Sequence, residues 1–396
     1  MARKQLLRML ALAAVLVSAV SVVRADDLAA QEKMAERLCI KKQFAQAEQV
    51  YEGMLDQAGD PEKRFGLRRK LAAVLTAQQD KQPAAKAAIA GILSDYADHA
   101  RLPHAIHEIA ESCHKFGKAK EAKGLYHQIL EEQPDRPDAI WLVMGQAIAD
   151  TFAGDEDAAW GNTEKLLNDY PNDSRTAEAV GQVAWCCRKV EDWENARALY
   201  QHVVDTWPDN ERAIYSQRGI ILASIELEDF DAAEAATNDL LANYATHPAL
   251  VDAMGDVAEA YAANVRFEKS RDLHRYIIEA FPSSGQAIWS QRSAISCSCR
   301  LKDEDAIDEG LERLLTDFRD HPNIVKAMYQ VARRLNGVRD VRAKKAFQFV
   351  LERDRDGKLG LLSQVNMGGI TIRSGDLKGG TATFGAIIDK YKDHPN

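Results

Sequence analysis

The chain has 396 residues, 46% hydrophobic and 28% charged, with 11 Pro and 23 Gly. That composition excludes collagen-like, low-complexity and disordered classes, and the length suffices for two or three compact domains or one long repeat array. The formal charge of −9 gives none of the electrostatic footprint of a nucleic-acid binder.

The first predicted element is an export signal. Arg3, Lys4 and Arg8 precede an unbroken apolar and small run from Met9 to Val23, and Val23-Arg24-Ala25 stands before Asp26-Asp27. A basic start, a short apolar core and small residues at −3 and −1 read as a cleavable secretory signal over residues 1–25, cut at Ala25. The run is shorter than the ~20 residues a bilayer span needs. No second run of spanning length follows, so no membrane span is expected in the mature chain. The expected location is periplasmic or extracellular.

The rest of the chain repeats itself. Ala139-Ile140-Trp141 returns as Ala213-Ile214-Tyr215 and Ala287-Ile288-Trp289, each step 74 residues. Tyr96, Tyr170, Tyr244 and Phe318 keep the same step, as do Ile106, Val180, Met254 and Met328. Pro134, Pro171 and Pro208 halve it to 37. Residues 27–396 therefore divide into about ten units, near 28–64, 65–101, 102–138, 139–175, 176–212, 213–249, 250–286, 287–323, 324–360 and 361–396. Each carries two segments with the helical apolar period i, i+3, i+4, i+7. Neither segment can bury its stripe alone, so neighbours must stack. The even-numbered units are expected to hold about two extra residues between their helices. Gly368-Gly369 and Gly379-Gly380 are expected to weaken the helices of the last unit.

The third unit reads Ile106, Ile109-Ala110, Cys113, Gly117, Ala122, Tyr126 and Pro134. The fifth reads Val180, Val183-Ala184, Cys187, Ala196, Tyr200 and Pro208. The seventh has Ser270 where Ala is usual. This spacing resembles the tetratricopeptide repeat. The resemblance implies an all-α fold, a right-handed α-solenoid of helix-turn-helix units. It also implies a function: the first helices line a concave groove that holds a protein or peptide segment. The phrases Asn168-Asp169-Tyr170-Pro171 and Asp205-Thr206-Trp207-Pro208 resemble units of envelope repeat proteins.

In that family a stripe beside the core faces the groove. It maps here to His104, His107, Glu111 and His114 in the third unit, and to Glu178, Trp185 and Arg188 in the fifth. In the ninth it maps to Lys326, Tyr329 and Arg333. Trp185 with Arg188 one turn on has the chemistry of a binding anchor. Lys326 and Arg333 suit an acidic or carboxylate-ended segment.

Three further signals are weighed and set aside as chemistry. His104, His107 and His114 with Glu111 share one face, but on one straight helix only adjacent pairs converge on a metal ion. Glu352-x-Asp354-x-Asp356-Gly357-x-Leu359 resembles the start of a calcium loop, yet its twelfth position is Ser363. Of the six cysteines, Cys113 and Cys187 hold the same core position two units apart, too far for a disulfide, so buried thiols are expected. No nucleophile elbow, phosphate loop, zinc-protease or dinucleotide motif occurs. No enzyme, catalytic residue, cofactor or resident metal is expected. The alternatives to a peptide-binding scaffold are a self-assembling structural envelope component, associating through its C-terminal unit, and a metal or small-ligand binder using the His stripe.

Overall fold

The computed structural model describes residues 28–337 and 341–392. The predicted signal, residues 1–25, lies outside the described residues. Among the described residues there are 20 α-helices, one short 3₁₀ turn at Gln79–Lys81, and no strand. The helices come in pairs. They run α1 (Leu28–Ile40) with α2 (Phe44–Gln57), α3 (Pro61–Thr76) with α4 (Gln82–Asp95), and α5 (Leu102–Lys115) with α6 (Ala119–Glu132). Next come α7 (Ala139–Ala153) with α8 (Glu156–Asp169) and α9 (Thr176–Lys189) with α10 (Trp193–Thr206). Then follow α11 (Ala213–Glu226) with α12 (Phe230–Asn243), and α13 (Leu250–Ala263) with α14 (Phe267–Ala280). The last are α15 (Ala287–Leu301) with α16 (Glu304–Thr316), α17 (Ile324–Gly337) with α18 (Arg342–Arg353), and α19 (Lys358–Arg373) with α20 (Leu377–Tyr391). The chain divides into two compact units, residues 1–213 and 214–396.

Within each unit the packing is that of an α-solenoid of helical repeats. In the first, α3 touches α5, α5 touches α7 and α7 touches α9, while α2 packs on α3 and α6 on α7. In the second, α14 packs on α15 and α18 on α19, and α15, α17 and α19 touch in sequence. The apolar period explains this. Ile106, Ile109, Ala110 and Cys113 of α5 are all fully buried, and Met254, Val257 and Ala258 hold the same positions in α13. The small residue in each set lets the partner helix approach closely.

The turn inside each pair has its own repeat. Residues 117, 154, 191, 228, 265 and 302 all have φ between 57° and 73°, in steps of 37. Only the first two are glycine; the rest are Glu191, Glu228, Val265 and Lys302. The second helix then opens on an aspartate. Asp155, Asp192, Asp229 and Asp303 accept the backbone N–H of Ala158, Asn195, Ala232 and Ala306 at 3.1–3.4 Å. Such caps are worth about 1 kcal/mol each. The even pairs α7–α8, α11–α12 and α15–α16 do not carry the expected insertion, whereas α3–α4 does. Helices α5 and α6 start at residues 102 and 119, α7 and α8 at 139 and 156, α9 and α10 at 176 and 193. The turn residues stay in register because the left-handed residue recurs at each of these turns, with an Asp cap added at 155, 192, 229 and 303. The longer connection, through the 3₁₀ turn, is confined to α3 and α4 among these pairs.

The last pair is helical despite its glycines. A side chain at Gly380 would meet Ile372 and the Gly368 carbonyl, and one at Gly368 would meet Phe384. These glycines therefore permit the close contact of α19 with α20, which offsets their poor propensity.

One helix departs from the amphipathic rule. Helix α7 (AIWLVMGQAIADTFA) is apolar on every side, and every residue from Ala139 to Phe152 is buried. A helix of that kind has to be surrounded. Its neighbours are α5, α6, α8 and α9. Gly145 leaves room for Tyr126, whose hydroxyl donates to the Ile106 carbonyl at 3.2 Å. The one carboxylate inside α7, Asp150, is 0% exposed. It is held by Lys123 Nζ at 2.6 Å and by the Asn162 amide at 2.8 Å. Burial raises its pKa, and those two partners oppose the rise.

Candidate functional site on the first-helix faces

Helices α5 and α9 approach each other over the end of α7, and what they place there fills the predicted groove from within. His104 and His114 are exposed and Glu111 is half-buried, but His107 is only 1% exposed. This corrects its placement on an open stripe. The α5 period fixes the face that His107 occupies, whereas α9 crossing over that face takes it out of solvent. The His107 ring lies 5.7 Å from His104, stacked, and 4.6 Å from Trp185, edge to face. Its Nδ1 is 3.4 Å from the Cys186 sulfur. Burial, helped by the neighbouring His104, lowers its pKa to about 4. Burial likewise holds the Cys186 thiol well above its ordinary value. The pair is therefore neutral imidazole beside neutral thiol, which is core packing and not nucleophile chemistry.

The other fifth-unit residues have partners too. Trp185 is half-buried, with Lys189 Nζ 4.6 Å from its ring centroid. Glu178 accepts from Arg212 at 2.9 Å, and burial raises its pKa. The Arg188 Nε is buried without a hydrogen-bond partner among the described residues. His114 stacks on Phe152, the last core residue of α7, at 4.5 Å. Sequence spacing passed over Phe152, which the apolar run of α7 could have pointed to.

The ninth-unit residues sit differently. On α17, Lys326 and Arg333 are exposed and Tyr329 is half-buried. Lys326 Nζ lies 5.4 Å from the Trp289 ring, and Tyr329 packs on Phe347 at 6.0 Å. These contacts hold the stripe over the core of the second unit without covering it. Arg300, at the end of α15, lies over Phe267 at 5.7 Å. Arg334 is half-buried, its Nε has no partner, and burial followed by the charge of Arg300 lowers its pKa. Neither was among the predicted site residues. The signal was present across helices: α15, α17 and α19 contain no Asp or Glu at all.

The remaining sequence signals are absorbed by structure. Asp354 Oδ2 accepts the N–H groups of Leu359 and Gly360 at 2.9 and 3.0 Å, capping α19. Asp356 pairs with Lys390 at 2.8 Å. The calcium-like loop is thus a helix-start turn. Among the described residues no group of three or more His, Cys, Asp or Glu gathers as a metal site. All six cysteines are buried, and burial pushes the thiols of Cys113 and Cys187 up to about 12. A notch of about 200 Å³ between α7, α8, α9 and α10 has Trp160 and Val190 at its rim. It is smaller than the ~300 Å³ at which ligand pockets begin. Among the described residues no helix is long and apolar enough to cross a membrane.

No protein-family model and no curated protein matches the sequence. Similar solved structures include PilW, a widely conserved type IV pilus biogenesis factor, 12% identical over 58% of this chain and 99% of that one, with a TM-score of 0.34. Pseudomonas aeruginosa PilF is 14% identical over 57% and 95%, at 0.32. A tetratricopeptide repeat protein from Parabacteroides merdae is 13% identical over 66% and 98%, at 0.35. Likeness at this level carries no argument about function.

Proposed function

We propose that the chain is an exported, non-enzymatic repeat scaffold whose first-helix face holds a segment of another polypeptide, in the assembly of a cell envelope. The observation that carries the reading is the uncovered stripe of Lys326, Tyr329 and Arg333 on α17, set on a rigid, fully helical frame. Rigid aromatic and basic side chains on such a frame are what interface anchors require. The basic start and apolar run of residues 1–25 support export. Cross-linked co-purification from the native compartment tests this, comparing wild type with Lys326→Glu, Arg333→Glu and with Trp185→Ala, Arg188→Glu. A polypeptide recovered with wild type and lost with either variant supports the scaffold. Equal recovery from all three removes binding from these stripes.

A second reading has its own observation. On α20, Leu377 and Ile388 are each 66% exposed, more than Ile278 or Leu315 on interior second helices. Exposed apolar side chains of this kind fit self-association through α20. A mass that rises with concentration in light scattering, and stays constant in Leu377→Glu, Ile388→Glu, supports it; a constant wild-type mass ends it.

A further inference from the structure

We infer that the polypeptide held on the second unit is an acidic segment, bound along a strip of arginines from successive first helices. This rests on the scaffold reading above and names the chemistry of its occupant. The chain has 60 acidic residues against 51 basic, so carboxylates are the commoner charge. Yet α15 carries Arg292 and Arg300, α17 carries Lys326, Arg333 and Arg334, α19 carries Lys358 and Arg373, and none of these helices carries an acid. The acids of this region lie on the second helices and in the turns: α16 alone holds Glu304, Asp305, Asp308, Glu309 and Glu312, and Asp354 and Asp356 stand in the turn before α19. Acids are kept off these first helices, while cations stand on both, Arg342, Lys344 and Lys345 on α18 among them.

Elsewhere the repeats pair their cations across one repeat. Lys70 reaches Glu36, Arg218 reaches Asp256, and Arg292 reaches Glu259. On the first helices that pattern stops after Arg292, while on the second helices Arg342 still reaches Glu304 and Lys390 reaches Asp356. Among the described residues Arg300, Arg333 and Arg334 enter no ion pair, and Arg373 reaches only the neutral Asn336. Arg300 and Arg334 stand close enough that the charge of one lowers the pKa of the other, a cost that an anion laid between them removes.

The geometry favours polypeptide over nucleic acid. Adjacent first helices stand roughly 10 Å apart. Carboxylates three residues apart on a polyproline-II chain share one face and are separated by about 9 Å. Phosphates follow one another more closely, and single strands need free aromatic faces to stack on. Here Lys326 already sits over Trp289, and Tyr329 packs inward on Phe347. The carboxamides of Asn336 and Asn366, 3.2 Å apart beside Arg373, supply hydrogen-bond groups of the kind a peptide backbone takes.

The test is fluorescence anisotropy on the full chain. The probes are a labelled 15-residue peptide with Glu at every third position, its Gln counterpart, and a labelled oligothymidylate. The expected result is binding of the Glu peptide, at least tenfold weaker for the Gln peptide and weakened at least tenfold between 50 and 500 mM salt. The Arg300→Gln, Arg333→Gln, Arg334→Gln variant should lose at least tenfold. So should the single Arg333→Glu, which changes only an exposed side chain. A first-unit control, Lys33→Gln, Lys120→Gln, Lys165→Gln, should bind as wild type. Equal binding of the Glu and Gln peptides, equal binding by the control and the arginine variants, or tighter binding of the oligothymidylate overturns the inference. A polypeptide captured in the compartment through a neutral, salt-insensitive segment overturns it too, while leaving the scaffold reading intact. Binding of the Glu peptide at these arginines with no polypeptide captured leaves the acidic preference of the strip standing but removes the scaffold reading, and with it the inference that a polypeptide is held there.

Discussion

The first helices of α5 to α9 and those of α15 to α19 occupy the same place in their repeats, yet they have come to opposite states. In the first unit the middle of the stripe is occupied by its own chain: His107 is buried beneath Trp185 and beside Cys186, while His104 and His114 stay exposed. In the second it is basic and uncovered, with Lys326 and Arg333 exposed. The difference follows from the helices beneath. Helix α7 is apolar all round, so its neighbours must close over it, and rings are the side chains that fill such a seam. Helix α15 buries Ser290, Gln291, Ser293 and Ser298 instead, and its one ring, Trp289, is only partly buried. A position in a repeat therefore does not settle whether a residue meets ligand or core.

The contrast can be broken most strongly at Asp150. Lys123→Met leaves a buried carboxylate without its cation and should cost the first unit about 3 kcal/mol. Adding Asp150→Asn should return most of it. Urea unfolding of both variants measures this, and a single variant as stable as wild type would show that α7 is not sealed.

Acid should separate the seam from the rest nearly as far. The folded pKa of His107, about 4, lies below its ordinary 6.5. The folded state thus binds fewer protons, and the stability this gives is full above pH 6.5 and lost as pH falls towards 4. The loss is about 3 kcal/mol for a shift of this size. His274 of α14, buried with neither ring nitrogen hydrogen-bonded, is depressed by burial in the same sense. Unfolding midpoints between pH 7.5 and 4.5 should fall in wild type and fall less in His107→Leu and in His274→Leu. Parallel curves for all three proteins would contradict the assignment.

Smaller effects sharpen the comparison at the turns and the clamps. Val265 is β-branched, 70% exposed, and has a φ of 62°. Val265→Gly should stabilise the second unit by about 1 kcal/mol, read from its melting temperature, because that region is costly for a side chain with a Cβ. Arg218→Gln, which cuts the pair with Asp256, should cost less than about 1 kcal/mol, since one end is exposed.

Much of this was legible in the sequence. The 37-residue step placed the helix pairs, because apolar period and turn chemistry repeat together. Ile106, Ile109, Ala110 and Cys113 were read as core and are core. His107 was misplaced because periodicity gives a residue's phase on its own helix and says nothing of a helix two repeats on. The expected insertion failed in the sixth and eighth units because Glu228 and Lys302 take the left-handed conformation that glycine would have advertised. Arg300 and Arg334 were missed because charge was read along each helix. Only α15, α17 and α19 taken together display the absence of acids.

The most direct test is site-specific photo-cross-linking of the full chain in its native compartment, with the photoreactive residue placed at Gln330, one turn before Arg333 and Arg334, or at His107. The account predicts a discrete adduct with an acidic polypeptide from position 330 and none from position 107. The same adduct from 107, or adducts from 107 alone, would contradict it.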